Sequence, residues 1–154
     1  MKSFKLQLVI IGLALFVCIG PLHSQMMQSI GMHTNGEVFP QKTLTTALRG
    51  YEACLHVDIE AVVESAIFQS VMMKIKIPQQ DYSKIIHEMK RLAFEAANPK
   101  LRYKAYLGTC VVSSPEQFLS VAQSEQLLSF TDDRRDEFFA FIAAALKNQL
   151  EENL

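Results

Sequence analysis

Glycine is scarce in this 154-residue chain, and its six copies stand apart from one another. A phosphate cradle needs glycines at short fixed spacing, so that successive backbone N–H groups turn toward one point, and no such grouping occurs. The pattern G-x-S-x-G is absent as well, which removes the strained turn on which an α/β-hydrolase raises its serine. His87-Glu88 opens the H-E-x-x-H pattern of zinc proteases, yet Arg91 stands where the second imidazole must project, so an open zinc site cannot be assembled. Cys54 and His56 lie two residues apart, a spacing that points them to different faces of a helix and away from a shared metal. No apolar run approaches the roughly 20 residues that a membrane span requires. No segment alternates as a strand would.

What is present begins at the first residues. Lys2 and Lys5 precede an apolar run from Leu8 to Ile19, followed by Pro21 and the small residue Ser24. This is the layout of a secretory signal peptide, so residues 1–24 are expected to direct export to a periplasm or the exterior and then to be removed. Membrane contact is then expected only through that transient segment, a retained anchor being the rival outcome. Val17 precedes Cys18 where a lipid-attachment site resembles a requirement for Gly, Ala or Ser, so lipidation is not expected. The remainder is one domain in length and large enough to bury a core of its own. It carries 13 basic and 16 acidic residues, a mild acidity that argues against nucleic acid as a partner of the whole molecule.

Residues 25–42 show no sustained period and contain a turn signal at Asn35-Gly36 and a break at Pro40, which reads as a flexible arm. Helical patterning occupies residues 43–154. Leu44, Ala47, Leu48, Tyr51, Cys54 and Leu55 gather on one face of a first helix, with Thr43 as its expected cap. Asp58 is the expected cap of a second helix that is apolar around much of its circumference and ends at Pro78. A third follows Asp81, with Ile85, Ile86, Met89 and Leu92 inward. Asn98-Pro99 opens a fourth, NPKLRYKAYLG, with proline where its missing N–H does no harm. Ser114-Pro115-Glu116-Gln117 opens an expected fifth helix reaching about Leu128. A sixth, beginning at Thr131 or Asp132, carries the stripe Phe138, Phe139, Ile142, Ala143 and Leu146, and its acidic first turn suits the helix dipole.

The helix starts repeat. At an offset near 39 Asp58 falls one residue from Asn98's equivalent, Val62 over Leu101 and Ala66 over Ala105. At 38, Leu44 falls over Tyr82 and Leu48 over Ile86. The chain therefore divides into three helical hairpins, about Leu44 to Ile77, Tyr82 to Val112 and Pro115 to Leu150. With its proline at the start, its basic residues and its inward alanine, NPKLRYKAYLG resembles the second helix of a HEAT or armadillo-type repeat, whose period and two-helix unit also match. The expected fold is all-α, three antiparallel hairpins stacked as a short α-solenoid, with a six-helix bundle as the alternative.

On a helical wheel Leu101, Ala105, Gly108 and Val112 share a narrow arc, while Arg102, Tyr106 and Thr109 lie on the opposite flank. Lys104 falls toward the apolar arc, where its methylene stem can cover neighbours while its amine reaches water. Arg102, Lys104 and Tyr106, with Arg49 and Tyr51 on the first helix, are the candidate partner-binding residues, since arginine and tyrosine favour interfaces. Cys54 and Cys110 sit on diagonal helices, too far apart to bridge, and are expected to be buried thiols. No catalytic residue, cofactor or metal is expected. The functional expectation is an exported, non-enzymatic adaptor that binds an unknown protein or peptide. Its rival is a small helical hydrolase or lipid-binding protein with a pocket between helices.

Overall fold

The structure is a computed structural model that describes residues 40–152. The signal segment 1–24 and most of the arm, through residue 39, lie outside the described residues. Among the described residues the fold is all-α, with no strand. Helix α1 spans Gln41–Cys54, α2 Glu60–Lys76, α3 Ser83–Glu95 and α4 Pro99–Ser113. Two short helices follow, α5 over Pro115–Phe118 and α6 over Val121–Leu127, and a 3-10 turn at Asp132–Arg134 leads into α7, Arg135–Glu152.

α1 and α3 are amphipathic and bury one face each. Leu44 and Ala47 are sunk from α1, and Ile85, Met89 and Leu92 from α3. α2 differs: every residue from Ala66 to Met72 is buried, because α1, α4 and α7 cover it on several sides. α4 buries the arc read from the wheel, Leu101, Ala105, Gly108 and Val112, together with Leu107 and Val111.

The first four helices stack as two hairpins side by side. α1 lies against α2 and α3 against α4, while α1 also touches α3 and α2 touches α4. Equivalent positions bond across the stack. The side-chain amides of Gln41 and Gln80, 39 residues apart, exchange hydrogen bonds of 2.9 and 3.3 Å. Asn98 Nδ2 donates to Glu60 Oε2 at 2.7 Å, across 38 residues. These separations match the offsets at which the sequence echoes itself. α7 packs on α4, α5 and α6 and also reaches α2, where Phe138 meets Phe68 edge to face with centroids 4.6 Å apart. Phe139 and Phe130 extend this aromatic cluster at 5.3 and 5.9 Å from Phe138.

Several helix starts differ from expectation. α1 begins at Gln41, ahead of Thr43. α2 is entered through Ile59, whose side chain makes no cap, and Asp58 stays outside the helix. The expected fifth helix is divided: Leu119 takes an extended conformation and buries its side chain, which pulls the chain out of the helical path. Ser114 makes no side-chain cap, and the complete capping box belongs to Ser120 and Gln123, with bonds of 3.2 and 2.8 Å. Asn98 behaves as read, accepting from the Lys100 N–H at 2.9 Å with Pro99 at the first helical position.

At Gly108, α4 comes close to both α2 and α3. A Cβ there would stand 2.6 Å from Ile67 Cγ2 and 3.3 Å from Met89 Sδ, so only glycine fits without displacement. Gly50 on α1 has open space where a Cβ would go. The two glycines are therefore expected to respond oppositely to the same change. Gly50→Ala should stabilise by about 0.5–1 kcal/mol through helix propensity. Gly108→Ala should destabilise by about 1–2 kcal/mol net, because overpacking exceeds that gain. Chemical denaturation of both variants measures the signs, and equal shifts would contradict the packing at Gly108.

Candidate functional site

Of the five candidate residues, α4 carries three, and the helix gives each a different task. Arg102 Nη1 donates to the carbonyls of Ala96 and Ala97 at 2.9 and 3.4 Å. Ala96 is the C-cap of α3, whose carbonyl the helix leaves without an internal partner, and Ala97 follows it, so the guanidinium caps α3 from outside. Lys104 is nearly enclosed, with 12% of its side chain exposed. Its amine lies 3.0 Å from Glu64 of α2 and 2.6 Å from Asp136 of α7, and 5.5 Å from the centroid of the Phe139 ring. Burial alone would lower its pKa. The bonds to Asp136 and Glu64 more than offset that and hold the amine charged. The stem packs inward as the wheel indicates, but the amine ends on two carboxylates.

Tyr106 is exposed, and so is Tyr103, each by just over half. With Cys110, half-buried one turn beyond Tyr106, they form a ridge on the face of α4 opposite Gly108. The neighbouring Cys110 thiol raises the pKa of the Tyr106 phenol, and burial raises that of the thiol. Both groups are therefore neutral near pH 7, and the ridge is aromatic without being charged. Arg49 is exposed on α1. Tyr51 is half-buried against the core, and burial, with Cys54 nearby, raises its phenol. No disulfide joins Cys54 to Cys110, and both are half-buried, not sunk in the core.

Tyr103 was not singled out in the sequence, although its spacing from Tyr106 and Cys110, at steps of three and four, is a legible surface signal. Phe94 is also 85% exposed, on the side of α3 away from Ile85 and Met89.

Two polar clusters join the helices. In one, Ser65 Oγ donates to Asp132 Oδ1 at 2.8 Å, and Arg135 Nη1 reaches Asp132 Oδ2 at 3.0 Å and the Ala61 carbonyl at 3.3 Å, fixing the start of α7 to α2. In the other, Glu88 of α3 lies 2.8 Å from Arg91 Nε and 3.4 Å from His56 Nε2 beyond α1. The Arg91 hydrogen bond, with His56 and His87 beside it, holds the Glu88 carboxyl below its ordinary value. Among the described residues no group of three or more His, Cys, Asp or Glu side chains is placed to hold a metal. No helix among them is long and apolar enough to cross a membrane.

The chain matches no protein-family model, no curated protein and no solved structure.

The polar ties can be tested separately from the ridge. Lys104→Met leaves Glu64 without its cation in a partly enclosed place and should cost about 1.5–3 kcal/mol, the range for hydrogen bonds to charged groups. Asp136→Asn should cost clearly less than Lys104→Met, because Asp136 is 92% exposed and solvent screens its pair. Urea unfolding at neutral pH ranks the two, and the reverse order would refute the enclosed role of Lys104. For Glu88 the folded pKa is depressed, so its contribution is present above the ordinary value of 4.5 and fades as pH falls through the lower folded value. The stability difference between wild type and Glu88→Gln should accordingly shrink as pH falls below 4.5. A difference that grows as pH falls below 4.5 would contradict the sign.

Proposed function

We propose that this is an exported, non-catalytic helical protein that binds another protein or a peptide through the outward face of α4. The observation that supports it is the ridge of Tyr103 and Tyr106, large and uncharged side chains standing in solvent on a helix whose inner face is fixed. Tyrosine offers wide contact area for little lost conformational freedom, together with a hydroxyl that finds a partner at an interface rim. Rigidity lowers the ordering cost of binding. α4 has it: Gly108 seats it against α2 and α3, and Arg102 and Lys104 tie its flanks to α3, α2 and α7.

Arg102 and Lys104 enter this reading as groups that position the ridge, whereas Tyr106 belongs to the contact itself. Arg49 and Tyr51 on α1 are a second, smaller place to probe. The likeness of the first two hairpins to HEAT or armadillo-type units favours the same class of role, because such units commonly work through broad faces. Export follows from the basic, apolar and small-residue order of residues 1–24.

A photo-activated cross-linker in place of Tyr103 is expected to give a discrete adduct in cells, lost when Tyr106→Ser is added. The same group in place of Ala140, exposed on α7, should give none. No adduct at Tyr103, or an equal one at Ala140, would remove the reading. Mass spectrometry of the recovered protein should find an N-terminus near Gln25, and an intact Met1 would remove the export part.

A further inference from the structure

We propose that His56 and Glu88 form a proton-operated latch, in which a charged imidazole holds the end of α1 to α3 and secures the first hairpin more firmly as pH falls through the neutral range. The inference does not depend on the binding role of α4.

α1 has little apolar hold on the stack, since Leu44 and Ala47 are its buried residues. Polar contacts join its hairpin to the second one along the flank that faces α3. Gln41 bonds to Gln80 just ahead of α3, Lys84 stands 4.0 Å from Glu52, and His56 Nε2 lies 3.4 Å from Glu88 Oε2. Of these side-chain types only imidazole changes charge near neutrality.

Two features of the surroundings attract a cation at His56. Glu88 is nearly enclosed, and Arg91 Nε at 2.8 Å helps to keep its carboxyl ionised well below neutral pH. His56 also follows the last residues of α1, where carbonyls without helical partners concentrate negative charge. The contact with Glu88 is an ion pair only while the imidazole is protonated.

The other ionisable groups about the contact do not cancel this attraction. Arg91 is shared between Glu88 and Glu95, the latter at 3.6 Å, and His87 beside Glu88 is exposed. On the α1 side Glu52, one turn before His56, faces Lys84, and Asp58 follows two residues later in the chain. Among the described residues Glu88 is the carboxylate that His56 meets at ion-pair distance. The folded chain gains this pair when His56 takes up a proton and the unfolded chain does not, so the latch tightens on acidification and slackens as pH rises. Stronger acid releases it again by protonating Glu88 itself. Because the imidazole is half exposed, solvent screens the pair and the effect is small.

Urea unfolding of the protein as the cell leaves it reads the latch. From about pH 7.5 to about 5.5, the window in which imidazole charges, the folded-to-unfolded ratio of wild type relative to His56→Gln should rise about two- to fivefold. Both members of that comparison share every other titrating group, so the rise belongs to His56. Glu88→Gln introduced into both should remove most of it, whereas His87→Gln should leave it intact. A ratio that stays flat or falls, a rise undiminished by Glu88→Gln, or one that His87→Gln abolishes would each overturn the proposal.

Discussion

The missing side chain at Gly108 is the constraint around which the rest is arranged. With no Cβ on α4 at that point, the methyl of Ile67 and the sulfur of Met89 close over its backbone, and α2, α3 and α4 meet at one place. Ala105, one turn earlier and fully buried, continues the same close approach. A larger residue at either position would push α4 outward, and every contact that depends on the height of α4 above α2 would lengthen. Lys104 is the clearest such contact, because its amine reaches two carboxylates on two different helices from one position.

That dependence explains why two of the three basic side chains of NPKLRYKAYLG, Arg102 and Lys104, are engaged within the fold. A surface lysine pair contributes little in water, but the near-enclosed Lys104 holds Glu64 and Asp136 where solvent screens less. Arg102 turns back to the end of α3, supplying donors that the helix geometry leaves wanting. The start of α7 is held to α2 in the same manner, through Asp132, Ser65 and Arg135, before Phe138 reaches the apolar cluster around Phe68. Apolar burial brings the helices together without much direction, and these few polar ties fix how they are turned.

Helix content and the arcs that face inward were readable from residue type and spacing alone, since periodicity is a direct consequence of backbone geometry. The stacking of the first two hairpins was readable too, and the bonds between Gln41 and Gln80 and between Glu60 and Asn98 express the same offset as physical contact. Local signals misled where tertiary burial competed with them. Ser114 looked like a cap with its glutamine in place, yet burying Leu119 moved the true capping box to Ser120. Lys104 shows a different limit: the wheel gave the side on which it lies, but the carboxylates that meet it come from residues 40 positions earlier and 32 later in the chain. Tyr103 is legible from its spacing to Tyr106 and Cys110, which places it on the same outward face.

α4 thus divides two requirements between its faces. The inner face tolerates almost no change in size, since Gly108, Ala105 and Val111 are enclosed on every side. The outer face bears no comparable restriction, so large residues there add nothing to the packing of the helices. Tyr103 and Tyr106 leave over half their surface in water, and serine or lysine would serve a merely solvated helix as well. Because the flanks of the helix are tied by Arg102 and Lys104, the backbone that carries the two rings is held in place. Recognition on such a helix can change through the outer residues alone, without disturbing the contacts that keep the helix in place.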